Sequence, residues 1–270
     1  MRTILVTASD DRLGRKGGLY GATQDKIQRL LGDWVEQKHY KLPEFIDCDP
    51  LMLNPDAGKN GRVYKPWIIA DQLKKLDDGD FLIYNDCSPE LWPDEIDLKQ
   101  YDLSVIRDLS LENNNILASF VKWDTKEIGI GDLGIHTHRW FTLESCLSAF
   151  GAESYRDSFL CASGMLCIRK TKMTIHLIET WLHYNRMPEC SCYNVSETEN
   201  SYFDGVPGQK LGNRHDQSVL SVILNVFNWD FVDIVYNQMN PYNFLNFCLP
   251  EHQYKFINSN RGIQYDLINK

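Results

Sequence analysis

Residues 79–88 read GDFLIYNDCS. Phe81-Leu82-Ile83-Tyr84 is an unbroken apolar run between Gly79 and a polar break, Asn85-Asp86-Cys87-Ser88-Pro89. A run this short, apolar on both of its faces, predicts a strand at 80–84 that is covered from both sides, as in a parallel sheet with helices above and below. Upstream, Pro66 suits a first helical turn, where its missing N–H costs nothing, and Ile69, Leu73 and Leu76 then share one face. That helix stops at Asp77-Asp78-Gly79. Further back, TILVT at 3–7 reads as a buried first strand. A helix from Tyr20 to about Gln37 follows, with Ile27, Leu30, Leu31 and Trp34 on one face, and then a short strand, EFIDCD, at 44–49. Strand, helix, strand, helix, strand predicts an α/β fold with a mostly parallel central sheet flanked by helices.

Downstream the same patterns predict helices near 101–111, 142–150, 171–184 and 217–227. Strands are expected at 116–120, 159–168 and about 231–235. Residues 185–214 form a long polar stretch, of the length that in compact proteins is either functional or disordered. No repeat or linker interrupts the chain, so one domain is expected over residues 1–270.

The net charge of −9, from 28 Lys+Arg and 37 Asp+Glu, argues against a general nucleic-acid binder. Arg12, Arg15 and Lys16 beside Gly17 and Gly18 are a local cationic exception, suited to one small anionic ligand. No stretch approaches the roughly 20 apolar residues of a membrane span, and the N-terminus lacks the pattern of a signal peptide. Eight cysteines are scattered through predicted elements, as reduced core residues would be. Cys190-x-Cys192 with His183 upstream is a weak zinc pattern, because structural sites show two spaced ligand pairs.

In open α/β sheets ligands bind beyond the carboxyl ends of the strands. Three such positions are polar here. After the first strand come Thr7, Ala8, Ser9 and Asp10 and the cationic glycine loop, whose backbone N–H groups and Arg12, Arg15 or Lys16 could hold a diphosphate or could form a solvated turn. After the 80–84 strand comes Asp86, with Ser88 two residues on; a carboxylate there could hold Mg²⁺ or Mn²⁺, or could cap the strand before Pro89. Before the last amphipathic helix comes Arg214-His215-Asp216-Gln217-Ser218. His215 could ligate metal or phosphate, and Asp216 could be a general base or a helix N-cap. Trp67, Trp92, Trp123, Trp140, Trp181 and Tyr202 are candidates for a sugar platform or for core packing. The His136-x-His138-Arg139-Trp140 cluster could face a donor or an acceptor, but reads first as an exposed turn before the helix at 142.

Taken together and in order, Lys65-Pro66, GDFLIYNDCS at 79–88, ASGMLCIRK at 162–170 and RHDQSVLSVI at 214–223 resemble nucleotide-sugar-dependent glycosyltransferases of the Rossmann-like GT-A fold. They are similar to the small enzymes of bacterial surface-polysaccharide synthesis and of large DNA viruses. The likeness spans roughly residues 3–225 and implies a nucleotide-binding part over about 1–120 and an acceptor-side part over about 121–270. It implies that Thr7, Ala8, Ser9 and Asp10 contact base and ribose, that Arg12, Lys16, Lys65, Asn85 and Asp86 complete the donor site, and that Asp86, Ser88 and His215 attend a divalent cation, Mn²⁺ or Mg²⁺. Ser163, Gly164 and Met165 would line the acceptor side, and Asp216 would take the proton of the acceptor hydroxyl in an inverting reaction. The implied partners are a nucleotide-diphosphate sugar and a glycan acceptor, and the implied location is cytoplasmic, the host cytoplasm if the protein is viral. One departure stands out: where many members carry Asp-x-Asp, this chain has Asp86-Cys87-Ser88. A sugar-phosphate nucleotidyltransferase, or a non-catalytic carbohydrate-binding protein on the same fold, shares these features.

Overall fold

The computed structural model describes residues 1–9, 19–41, 63–120, 137–138, 142–191, 216–234, 243–250 and 254–258. Among them the strands are β1 Thr3–Ser9, β2 Glu36–Lys41, β3 Phe81–Asn85, β4 Ile116–Phe120, β5 Cys161–Arg169, β6 Asp230–Ile234 and β7 Tyr254–Asn258. The helices are α1 Leu19–Leu31, α2 Tyr64–Lys75, α3 Leu103–Glu112, α4 Glu144–Ala149, α5 Lys172–Asn185, α6 Pro188–Ser191 and α7 Asp216–Val226. The described strands form one seven-stranded sheet in the order β2-β1-β3-β5-β4-β6-β7.

β2 and β3 both lie parallel to β1. β5 runs antiparallel to both β3 and β4, so β4 keeps the direction of β3, and β6 is parallel to β4. Five strands therefore point one way, with β5 and the edge strand β7 reversed. The fold is α/β and Rossmann-like, with a mostly parallel sheet and helices on both faces, as its strand and helix patterns predict.

Side chains alternate between the two faces along each strand. Ile4, Val6, Leu82, Tyr84, Leu166 and Ile168 pack under α2, α5 and α7 through Ile69, Leu73, Ile178, Trp181 and Val222. Leu5, Phe81, Ile83, Leu117 and Cys167 face α1 and α3 through Ile27, Leu31, Ile106 and Leu109. Burying both faces is what the uninterrupted apolar runs of β3 and β5 require.

Two expectations are corrected. The first helix ends at Leu31, because Gly32 turns the chain with φ of 48°. The left-handed conformation suits glycine and stops a helix. Trp34 lies beyond that end, and Glu36–Lys41, its first two residues expected to close the helix, is the edge strand β2. The strand expected at 44–49 lies outside the described residues.

Reversal of β5 is the feature that builds the site. It brings the start of β5 against the end of β3, pairing Asn85 with Met165. A register shift opposite Ala118 and Ser119 bends β5 at the same place, as β-bulges do. Asp86 N–H then donates to the Gly164 carbonyl at 2.8 Å.

Candidate active site

Strand order places the crevice between β1 and β3, whose neighbours lie on opposite sides, at the carboxyl ends of those strands. Four residues from four separate segments meet beside it. Lys65 comes from the first turn of α2, Asp86 from the end of β3, Ser163 from the start of β5, and Asp216 from the first residue of α7.

Lys65 is the centre. Its side chain is 0% exposed, and its ammonium lies 2.9 Å from Asp216 Oδ2 and 3.3 Å from Asp86 Oδ1. It also donates to Ser163 O at 3.2 Å and Ser163 Oγ at 3.3 Å. Ser163 Oγ in turn donates to Asp216 Oδ2 at 2.8 Å. The Tyr84 ring lies under the ammonium, 5.3 Å from nitrogen to ring centre, and the Tyr84 hydroxyl donates to Asp86 Oδ1 at 2.8 Å. One ammonium against two carboxylates leaves the group one negative charge in excess. Asp216 is 1% exposed and Asp86 is 24% exposed, so that excess faces solvent at Asp86.

Asp216 opens α7, so its carboxylate also sits at the positive end of the helix dipole, whether it is counted as cap or as first helical residue. Trp181 on α5 fixes the same point by donating Nε1–H to the Asp216 carbonyl at 2.9 Å. Trp181 is fully buried, which makes it a core residue rather than a sugar platform; Trp92 is buried too, and Trp123, Trp140 and Tyr202 lie outside the described residues.

The remaining candidates are placed as follows. Thr7 shares a 2.6 Å hydrogen bond with His39 Nδ1, Ser9 Oγ donates to Gln24 Oε1 at 3.2 Å, and Ala8 packs in the core, its carbonyl accepting the Cys87 thiol at 2.6 Å. These residues line the end of β1 with their side chains already engaged. Asn85 is fully buried and ties β3 to the chain near the C-terminus: its Oδ1 accepts from Phe244 N–H at 2.7 Å and its Nδ2 donates to the Asp86 carbonyl at 2.9 Å. Ser88 precedes the short turn Pro89–Leu91. Met165 packs in the core on the sheet face away from Lys65. Asp10, Arg12, Arg15, Lys16 and His215 lie outside the described residues.

Among the described residues no three His, Cys, Asp or Glu side chains group to hold a metal ion. Cys190 is buried and hydrogen-bonded to Cys146, and the described cysteines are free thiols. What the site offers a cation is the Asp86 carboxylate, whose Oδ1 is taken by Lys65 and Tyr84 and whose Oδ2 has no partner among the described residues.

His138 corrects an expectation of exposure. It is fully buried, with Nδ1 2.8 Å from Thr142 Oγ1 and Nε2 2.6 Å from Asn225 Nδ2. Burial depresses its pKa to about 3. In an unfolded chain the imidazole titrates near 6.5, so its contribution to stability is complete above about pH 6.5 and is lost as pH falls toward 3. Between pH 6.5 and 5.0 that loss amounts to about 2 kcal/mol. Urea titrations at the two pH values should show that much less acid sensitivity in His138→Gln than in the wild type. Equal acid sensitivity would mean that the folded protein protonates His138 freely.

No family model matches this chain, and no curated protein matches it. Among solved structures, the crystal structure of a glycosyltransferase involved in the glycosylation of the major capsid of PBCV-1 aligns over 79% of this chain and 81% of that one, at 12% identity and a TM-score of 0.35. A likeness that remote carries no argument about mechanism or substrate. Among the described residues no helix is long and apolar enough to cross a membrane.

Proposed function

We propose that this chain is a glycosyltransferase that moves a sugar from a nucleotide-diphosphate sugar to a hydroxyl of a glycan acceptor, on a fold of the GT-A type. The observation that carries the reading is the Lys65 ammonium held between Asp86 and Asp216 beside the β1–β3 crevice. Buried ion pairs are weak contributors to stability, since desolvation offsets most of their attraction. Two carboxylates gathered at a ligand-binding edge of the sheet are better explained by chemistry.

In the proposed reaction the bond from the anomeric carbon to the diphosphate oxygen breaks, and its electron pair leaves with the diphosphate. The acceptor oxygen bonds to the anomeric carbon, and its proton passes to the carboxylate of Asp216. Asp86 through Oδ2, with Ser88 two residues on and His215 next to Asp216 in sequence, would hold a divalent cation, which when bound neutralises charge growing on the diphosphate. Lys65 holds both carboxylates in place, and Ser163 orients Asp216. Arg12 and Lys16 would meet the diphosphate from the loop after β1.

One observation favours a second reading: Asp216 is 1% exposed and its Oδ2 already engages Lys65 and Ser163. Asp216 would then anchor Lys65 without taking a proton, and transfer would proceed with retention. The anomeric configuration of the product, read by proton NMR, separates the two.

The donor site is tested by thermal shift. A nucleoside diphosphate should raise the melting temperature more with Mn²⁺ than with chelator, because a ligand that binds only the folded state stabilises it by mass action. Asp86→Ala should abolish the Mn²⁺-dependent part and keep the rest. An equal shift with and without metal would remove Asp86 from that role.

A further inference from the structure

Asp86 is fixed at almost every atom that can make a hydrogen bond. Its N–H donates to Gly164, and its carbonyl accepts from both Asn85 Nδ2 at 2.9 Å and Trp92 Nε1 at 3.1 Å. Its Oδ1 accepts from the Tyr84 hydroxyl at 2.8 Å and faces the Lys65 ammonium at 3.3 Å. Tyr84 and Asp86 are two residues apart, so they lie on the same side of β3 as it leaves the sheet. The Tyr84 ring is fully buried in the core beneath α2, and its hydroxyl donates to the Asp86 carboxylate.

We propose that Tyr84 is a positioning residue of the donor site: its hydroxyl locks the Asp86 carboxylate through Oδ1 so that Oδ2 is the oxygen that meets the cation. This rests on the donor-site reading given above. The physical reason is preorganisation. A lone carboxylate that rotates freely loses that freedom when it binds, whereas one held by a neighbouring donor has already lost it. Tyr84 fits the task because a phenol carries an O–H donor, and here it lies 2.8 Å from Asp86 Oδ1. Its ring separately supports Lys65, so the hydroxyl can be removed while the cation–ring contact stays.

The test is Tyr84→Phe, with Mn²⁺ binding followed by electron paramagnetic resonance in the presence of whichever nucleoside diphosphate most stabilises the wild type. Partners that orient a metal-ligating carboxylate typically affect metal affinity by about 10- to 100-fold. Tyr84→Phe should weaken Mn²⁺ by at least about tenfold and leave affinity for the same nucleotide in chelator unchanged. A 3-fluorotyrosine at position 84, which keeps the O–H, should bind Mn²⁺ as the wild type does, and it carries the test if the Phe variant does not fold. Wild-type Mn²⁺ affinity in Tyr84→Phe, with Asp86→Ala still losing it, overturns the role of Tyr84 and leaves the donor site standing. Absence of any Mn²⁺ effect in the wild type overturns both. Equal loss of Mn²⁺ and chelator-state nucleotide binding would show Tyr84 to be a packing residue.

Discussion

Replacing Lys65 with Met should lower the free energy of unfolding by about 3–5 kcal/mol, the cost of breaking a buried ion pair by removing one partner. Met nearly fills the volume of the lysine stem, so the loss reports charge more than packing. The Lys65 ammonium is fully buried between Asp86 and Asp216, and removing it takes a close counter-charge, 2.9 Å away, from the Asp216 carboxylate, itself 1% exposed. The double variant Lys65→Met/Asp216→Asn should recover at least half of the loss, since the buried carboxylate is removed together with the ammonium it faced. Urea denaturation of the two single variants and the double variant gives the coupling directly. Simple additivity of the two single changes would mean that Lys65 and Asp216 do not depend on each other.

The parts of the fold that are legible in the sequence are those with apolar runs or helical spacing. Phe81–Tyr84, Ile116–Phe120 and Cys161–Ile168 announce buried strands, and Ile69, Leu73 and Val222 mark inner helix faces. β2 is illegible because EQKHYK carries no apolar run; it is an edge strand held mainly by its backbone pairing with β1 and by Tyr40. The direction of β5 is equally hidden, since local pattern reports burial and not pairing. Lys65, Asp86, Ser163 and Asp216 each stood in a recognisable motif, but their meeting depends on the Asn85–Met165 register and could not be read from spacing. Tyr84 and Trp181 were concealed by their core positions: each reads as an apolar residue until its O–H or N–H is seen to reach Asp86 or Asp216. The one available signal was position, a tyrosine two residues before a strand-ending aspartate. His138 was concealed for the opposite reason, a polar residue in a polar stretch that the fold nevertheless buries.

The most direct test of glycosyl transfer is to identify the phosphate product released when the protein is incubated with nucleotide sugars, Mn²⁺ and a panel of glycan acceptors, comparing wild type with Asp216→Asn. A general base is typically worth about 10²–10⁴-fold, so the variant should release product at least about a hundredfold more slowly. Asn keeps the shape at the start of α7 but cannot take the proton or balance Lys65, so the variant should also be less stable, and its donor binding serves as the check on folding. The account predicts nucleoside diphosphate together with a glycan longer by one sugar, both nearly absent in Asp216→Asn. Release of pyrophosphate in a parallel incubation with a nucleoside triphosphate and a sugar 1-phosphate, with no transfer to any acceptor, would make the protein a nucleotidyltransferase, and nucleotide-sugar binding with no product after prolonged incubation would make it a carbohydrate-binding protein; either result contradicts the central claim.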